Sequence, residues 1–209
     1  MNQQAHPSMA SGVTPDECVA SWPQLQSGIH YRHLVDYHSY NAFGTYNLSP
    51  EEWDNREMIY NFKNNSELTD PISHQQAMEK AIELLTALLK DTFGEQLPKL
   101  TLTCIPASTA EKTAARFGDF SQLVTDATGM ENGYSHINVV ADQERLEDSH
   151  LPQYSIDTDY YNGRLVLLFD DIMATGGSVS KFAARMEEAG AHIVAAVVLG
   201  NTVSRPKDE

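Results

Sequence analysis

The spacing of apolar residues predicts that helices and strands alternate through the last two thirds of the chain. Between residues 77 and 88 the apolar side chains recur at intervals of three and four, the spacing of a buried helix face, and Gly94 marks the end of this helix. From residue 99 the interval becomes two, because leucines alternate with threonines, and this strand ends at Pro106. The change of period from one segment to the next is typical of an α/β chain.

Two capping signatures predict further helices. Ser49 is followed three residues later by Glu52, and this capping box predicts a helix that runs to about Asn64. Ser108 and Glu111 repeat the signature, which predicts that Ser108 caps the helix after the first strand. In both cases a polar side chain satisfies backbone N–H groups that the first helical turn leaves open.

Later in the chain, two runs are apolar at nearly every position. They cover 164–169 and 193–199, and an amphipathic helix ending at Gly190 separates them. A further strand is predicted over 134–141 and a polar loop over 142–161. Strands without polar alternation are typical of a parallel sheet that is buried on both faces. We therefore predict an α/β fold, a parallel sheet with helices on both faces.

The N-terminal third differs in composition from the rest of the chain. Residues 1–28 are polar, carry three prolines and show no sustained period, so a loosely ordered arm is predicted. Eight aromatic residues fall between positions 31 and 62, which predicts an aromatic-rich subdomain over 29–70. The strands and helices that follow are assigned to one core domain over 71–205.

The charge and the cysteine content narrow the choice of partners. The chain has 14 basic and 29 acidic side chains and a net charge of -15, which disfavours nucleic acid and anionic membranes. A small anionic substrate must then be held by backbone donors, a metal ion or a few placed cations. The chain has two cysteines, no apolar run long enough to span a membrane and no signal-peptide pattern, so we expect a cytoplasmic protein.

Candidate chemistry is concentrated in residues 166–178, where an apolar run leads into two carboxylates and a glycine pair. Asp170 and Asp171 are predicted at the carboxyl end of a parallel strand, where open α/β sheets bind ligands. Residues 174–178 are small or hydroxylated and open a helix, so their N–H groups suit a phosphate. The carboxylates would repel that phosphate and are better suited to the hydroxyls of a ribose. The alternative is an ordinary strand end followed by an ordinary turn.

The segment Val-Leu-Leu-Phe-Asp-Asp-Ile-Met-Ala-Thr-Gly-Gly-Ser at 166–178 resembles, at every position, the phosphoribosyl pyrophosphate (PRPP) signature of type I phosphoribosyltransferases. The resemblance implies the fold of that family, a Rossmann-like parallel sheet with a small N-terminal hood subdomain, for which 29–70 is the candidate. It implies that Asp170 and Asp171 are catalytic and orient the ribose hydroxyls. It also implies that a loop binds the 5′-phosphate of PRPP, formed by Ala174, Thr175, Gly176, Gly177 and Ser178.

The family has a pyrophosphate loop after an earlier strand, and Cys-Ile-Pro-Ala-Ser-Thr at 104–109 resembles it. By this resemblance Ala107, Ser108, Thr109 and Lys112 bind pyrophosphate. The alternative is that Ser108 only caps a helix and that Lys112 is only solvated. A flexible loop also closes over the site in this family. Residues 130–150 are the candidate, although Arg145 is the single lysine or arginine among them.

The implied reaction transfers a 5-phosphoribosyl group from PRPP to a nucleobase-like acceptor and releases pyrophosphate, with Mg²⁺ held mainly by PRPP. Ala174 stands where hypoxanthine-guanine enzymes of the family carry aspartate, which disfavours that subclass without naming another acceptor. A non-catalytic PRPP-sensing regulator is the first alternative, and a ribose-phosphate diphosphokinase is a less favoured one. We expect PRPP and a nucleobase-like molecule as ligands, neither nucleic acid nor membrane as a partner, and a homodimer is compatible with this fold.

Overall fold

A five-stranded parallel sheet lies at the centre of the computed structural model, which describes residues 13–38, 48–64, 69–139 and 154–203. In spatial order the strands are β1 (Tyr31–Tyr37), β7 (His192–Thr202), β6 (Leu165–Met173), β2 (Leu100–Cys104) and β3 (Glu131–Asn132). Each pair of neighbouring strands in this sheet is parallel. A separate antiparallel pair is formed by β4 (Ile137–Val139) and β5 (Tyr154–Ile156).

Helices cover both faces of the sheet, which confirms the predicted α/β fold. They are α1 (Pro15–Cys18), α2 (Pro50–Phe62), α3 (Pro71–Phe93), α4 (Ala110–Thr128), α5 (Thr158–Tyr161) and α6 (Gly177–Glu188). Short 3-10 helices occupy Gly94–Lys99 and Tyr134–His136. None of the helices in the described parts of the chain is long and apolar enough to cross a membrane.

The alternating side chains of β6 join two hydrophobic clusters. Leu167 and Phe169 pack in the cluster formed with α2, α3 and α4, while Val166 and Leu168 pack in the cluster formed with α6. All four are fully buried, and the ring centroids of Phe120 and Phe169 are 4.6 Å apart. Burial of each such side chain contributes roughly 1.5–3 kcal/mol, so both helical layers hold β6 in place.

Of the two predicted helix caps, one is correct and one is wrong. Ser49 caps α2 as expected, because its side chain accepts from the Glu52 N–H while the Glu52 carboxylate accepts from the Ser49 N–H. The prediction for Ser108 is wrong, since Thr109 caps α4 and its Oγ1 accepts from the Lys112 N–H at 3.1 Å. Thr109 has the extended backbone that a capping residue requires, and Ser108 lies one residue outside the cap.

The strand predicted over 134–141 is also corrected in its described part, 134–139, while 140–141 lie outside the described residues. Residues 134–136 form a 3-10 helix, β4 lies outside the main sheet, and β3 forms the sheet edge instead. Gly133 explains this change of direction, because its N–H donates to the Leu102 carbonyl and a Cβ at this position would lie 2.5 Å from the Tyr161 hydroxyl oxygen. The predicted loop over 142–161 contains β5 and α5 in its described part.

The predicted arm is ordered over its described residues, 13–28. Val19 and Trp22 are buried in the main core, and the Trp22 ring packs edge-on against Phe93 with centroids 6.2 Å apart. These two apolar side chains anchor a segment whose overall composition is polar. In the next segment β1 is an edge strand of the main sheet, so the described residues of 29–70 share the main core and a separate hood stays a prediction.

Candidate active site

The two signature aspartates lie within β6, three and two residues before its end at Met173. They were predicted at the carboxyl end of a parallel strand, and this is confirmed, because Asp170 pairs with Val198 and Met173 with Asn201 in the register with β7. The parallel ladder therefore extends past the carboxylates, which fixes their backbone at the carboxyl edge of the sheet. Asp171 is buried and Asp170 is partly buried.

The glycine-rich loop leads directly from this edge into α6. Gly176 is the N-cap of the helix and adopts φ 77°, a left-handed conformation that favours glycine. No described side chain caps the helix here, and Thr175 and Gly177 are exposed. The first turn of α6 therefore presents backbone N–H groups and the positive end of the helix dipole, which together suit an anion.

A turn from the N-terminal segment packs against this loop, and the sequence did not indicate it. A Cβ on Gly176 would lie 2.7 Å from Leu25 Cδ2, and the hydroxyls of Ser27 and Ser180 are hydrogen-bonded at 2.9 Å. The turn closes through a hydrogen bond from the Gly28 N–H to the Leu25 carbonyl. The only local signal for it is Gly28, whose φ is 86°.

Asp171 is bound by a cation from α4. The Arg116 guanidinium donates through Nη1 to Asp171 Oδ2 at 2.7 Å and through Nε to the Lys63 carbonyl at 2.8 Å. The side chains of Arg116 and Asp171 are 12% and 9% exposed, so this ion pair is largely shielded from water. The sequence places Arg116 one helical turn after Lys112 but gives no sign of the contact.

Asp170 has an unusual protonation equilibrium. Burial raises its pKa well above the ordinary value, and the negative charge of Asp171 raises it further. The Asp171 N–H, which donates to Asp170 Oδ1 at 2.8 Å, and the charges of Lys63 and Arg116 lower the pKa in part. The site thus holds two carboxylates of different character, one ion-paired and one that retains its proton more readily.

The predicted pyrophosphate loop lies at the same edge of the sheet. The Ile105 N–H donates to the Phe169 carbonyl at 2.8 Å, which extends the ladder between β2 and β6 up to the loop. Ala107 is buried, while Ser108, Thr109 and Lys112 are exposed. Because β2 and β6 are adjacent and parallel, α4 and α6 both begin at this edge, and two helix N-termini open on the same side.

The other predicted site elements are only partly described. Arg145, His150 and three aromatic residues of the predicted hood (Tyr40, Phe43 and Tyr46) lie outside the described residues. Of the remaining aromatics, Phe62 is a core residue in contact with Phe169. His136 stacks on Tyr160 with ring centroids 3.4 Å apart, and its Nδ1 lies 2.9 Å from Asp157 Oδ2.

A cavity of about 930 Å³ lies between β1, α2 and α3, and none of the predicted site residues is among those that line it. Its lining includes four carboxylates and one lysine: Asp36, Glu51, Glu52, Asp54 and Lys80. An acidic cavity of this kind does not suit a pyrophosphate. The carboxyl edge at β6 therefore remains the better candidate for a phosphate ligand.

The phosphoribosyl transferase domain family matches residues 69–209, a range that includes both loops and both aspartates. The chain belongs to this family. Among solved structures, the purine phosphoribosyltransferase from Pyrococcus horikoshii Ot3 is similar at 16% identity and a TM-score of 0.34, covering 63% of this chain and 91% of that one. A search of curated protein sequences found no significant match.

Phosphoribosyltransferases generally use Mg²⁺ together with PRPP. In the described parts of this chain no group of three or more histidine, cysteine or acidic side chains is placed to hold a metal. Asp171 is already ion-paired with Arg116 through Oδ2, so one of its two carboxylate oxygens is occupied. The donor set of the described residues therefore does not fit a dedicated protein site for Mg²⁺.

Proposed function

We propose that the chain is a type I phosphoribosyltransferase that transfers a 5-phosphoribosyl group from PRPP to a nucleobase-like acceptor and releases pyrophosphate. The observation that carries this proposal is the uncapped N-terminus of α6, which follows two strand carboxylates within a domain of the family. An anion-binding helix end beside paired carboxylates matches a ligand that carries both a phosphate and ribose hydroxyls.

In this proposal the 5′-phosphate lies at the loop formed by Ala174, Thr175, Gly176, Gly177 and Ser178. Backbone N–H groups supply most of the contacts, and the hydroxyls of Thr175 and Ser178 add donors. Asp170 and Asp171 accept hydrogen bonds from the ribose hydroxyls and offset positive charge that develops at the anomeric carbon. Catalysis thus consists mainly of positioning and charge stabilisation, without a covalent nucleophile.

The pyrophosphate group is proposed to lie at the second loop, near Ala107, Ser108, Thr109 and Lys112. Because the Thr109 side chain is engaged in capping α4, its contribution would come from the backbone. Lys112 is exposed one turn into α4 and can supply a positive charge. Mg²⁺ is proposed to enter bound to the phosphates of PRPP, because phosphate oxygens are ligands that this ion prefers.

The acceptor is proposed only as a class. Ala174 disfavours hypoxanthine and guanine, and nothing in the described residues selects another base. We also propose that 29–70 covers the acceptor side of the site, that the core domain spans 71–205, and that the protein acts in the cytoplasm. A homodimer remains compatible with this organisation.

The proposal is tested by incubating the full chain with PRPP, Mg²⁺ and a panel of purine and pyrimidine bases while pyrophosphate release is followed. We expect release with at least one base, together with formation of the corresponding nucleoside monophosphate. Tight PRPP binding without release for any base would contradict the proposal and favour a PRPP sensor. Formation of PRPP from ATP and ribose 5-phosphate would favour the diphosphokinase.

The role of the carboxylates is tested by Asp171→Asn. This variant keeps a similar shape but loses the charge, and we expect kcat/KM to fall by roughly 100-fold or more, as is usual for electrostatic groups in active sites. Asp91→Asn is the matched control, because Asp91 is exposed near the end of α3, which leads to the opposite edge of the sheet. Equal activity of the two variants would rule out Asp171 as a catalytic residue.

A further inference from the structure

Arg116 forms the most shielded of the ion pairs that the structure records among its described residues. It connects three elements, since it extends from α4, binds Asp171 on β6 and donates to the Lys63 carbonyl just after α2. The exposed pair of Lys80 and Glu83, by contrast, has side chains that are 52% and 70% exposed. Exposed ion pairs of this kind contribute little to the stability of the fold. In a shielded pair, each side chain strongly restricts the position of the other.

The chemistry of arginine explains why this residue can make both contacts. The guanidinium donates from Nε and from Nη1 at once, and its planar shape fixes the angle between the two hydrogen bonds. The Lys63 carbonyl holds one side of the group while the other side holds Asp171 Oδ2. The carboxylate of Asp171 is therefore restricted in rotation before any substrate arrives.

The charges around the aspartates give Arg116 a second effect. Asp170 is faced by Asp171 on its own strand, by Lys63 after α2, by Arg116 on α4 and by the Cys104 thiol on β2. Burial and Asp170 raise the pKa of the thiol, which therefore stays neutral and adds no further negative charge. Arg116 and Lys63 thus oppose the repulsion between the two carboxylates, and Arg116 is the one that contacts Asp171 directly.

We propose that Arg116 is a positioning residue for phosphoribosyl transfer, which holds the Asp171 carboxylate in one orientation and leaves its second oxygen, Oδ1, to the ribose hydroxyls. This inference rests on the proposed function. Arg116 acts through Asp171 and does not itself contact substrate. Its attachment to the Lys63 carbonyl also makes the end of α2 part of the support of the site.

The first test compares Arg116→Met with Arg116→Lys in the transfer reaction. Removal of one partner from a shielded ion pair leaves the other uncompensated, so we expect Arg116→Met to lower kcat/KM by about 100-fold, mostly through kcat. Arg116→Lys keeps the charge but cannot make both hydrogen bonds, so its loss should be about 10-fold. Lys90→Met, which removes an exposed charge at the opposite edge of the sheet, should match the wild type.

A double-mutant cycle separates positioning from general damage to the fold. If Arg116 acts through Asp171, adding Arg116→Met to Asp171→Asn should change the remaining kcat/KM by less than about threefold, because the partner is already lost. Full additivity of the two losses would overturn the inference. A kcat/KM of Arg116→Met equal to that of the wild type would overturn the inference as well. Rates are normalised to the folded fraction measured by circular dichroism, so a loss of folded protein cannot imitate the expected result.

The wild-type protein distinguishes this inference from the function on which it rests. If the wild type neither binds PRPP nor releases pyrophosphate, the proposed function fails and the positioning role fails with it. If the wild type is active and the cycle is additive, only the role of Arg116 fails. Calorimetric titration with PRPP and Mg²⁺ gives the binding result independently of turnover.

Discussion

Gly176 is the position where a single added methyl group tests both the conformation of the proposed phosphate loop and its support from the N-terminal turn. Gly176→Ala places a Cβ on a residue with φ 77° and brings it to 2.7 Å from Leu25 Cδ2. The substitution therefore has two separate effects, strain in the backbone and a collision with a side chain from a distant part of the sequence.

The two effects can be estimated separately. A non-glycine residue in the left-handed region costs roughly 1–2 kcal/mol. Displacing Leu25 adds an overpacking term of about 1–3 kcal/mol, toward the lower end because the contact is at the tip of a flexible side chain. We therefore expect Gly176→Ala to lower the free energy of unfolding by about 2–4 kcal/mol, and to weaken PRPP binding because the loop must shift.

Gly163→Ala is the matched control. Gly163 has the same φ of 77°, nothing lies within 4 Å of the position its Cβ would take, and it precedes β6 at the opposite edge of the sheet. Urea denaturation should show that Gly163→Ala lowers the free energy of unfolding by the backbone strain alone, about 1–2 kcal/mol. Calorimetry should show that its affinity for PRPP is unchanged. When Leu25→Ala is already present, the collision is removed, and Gly176→Ala should lower the free energy of unfolding by no more than Gly163→Ala does. Equal losses in the two single variants, or no relief in the Leu25→Ala background, would refute the reasoning.

Two further predictions concern stability. Because the folded pKa of Asp170 is raised above its ordinary value of 3.8, the folded state binds more protons than the unfolded state above that pH, and stability falls as pH rises toward the folded pKa. Asp170→Asn should therefore unfold at a higher urea concentration than the wild type at pH 8, and the difference should be smaller at pH 4. Transfer activity should be lost in this variant. A difference in urea midpoint that shrinks as pH rises would contradict the reasoning. Thr109→Ala should lower the free energy of unfolding by about 1 kcal/mol through loss of the α4 cap, and Ser108→Ala by less than about 0.5 kcal/mol. The reverse order in urea denaturation would restore Ser108 as the cap.

The elements that were predicted correctly depend on residues close together in the sequence. The capping box at Ser49 and the helix end at Gly94 involve positions within one helical turn. The fully apolar run into β6 indicated a buried parallel strand, and the pattern of the segment 166–178 by itself indicated the family. Local hydrogen bonding and hydrophobic period are properties that a linear pattern records directly.

The predictions that failed depended on contacts across the fold or on a choice between equal local signals. Ser108 and Thr109 both carry a capping hydroxyl, and only the path of the chain after Ala107 decides which one begins α4. The segment 13–28 is polar on average, so the burial of Val19 and Trp22 is not visible in its composition. The turn at Gly133 depends on a close approach to Tyr161, which lies 28 residues later.

The sequence alone determined the chemical groups of the candidate site: two carboxylates at the end of a buried strand, followed by a glycine-rich helix start. Only the tertiary structure decided how these groups are held. Arg116 and Asp171 are 55 residues apart, and Ser27 and Ser180 are 153 residues apart, so no local pattern links them. Such contacts arise because the packing of helices on the sheet brings distant side chains to one edge, and that packing depends on the whole core rather than on neighbouring residues.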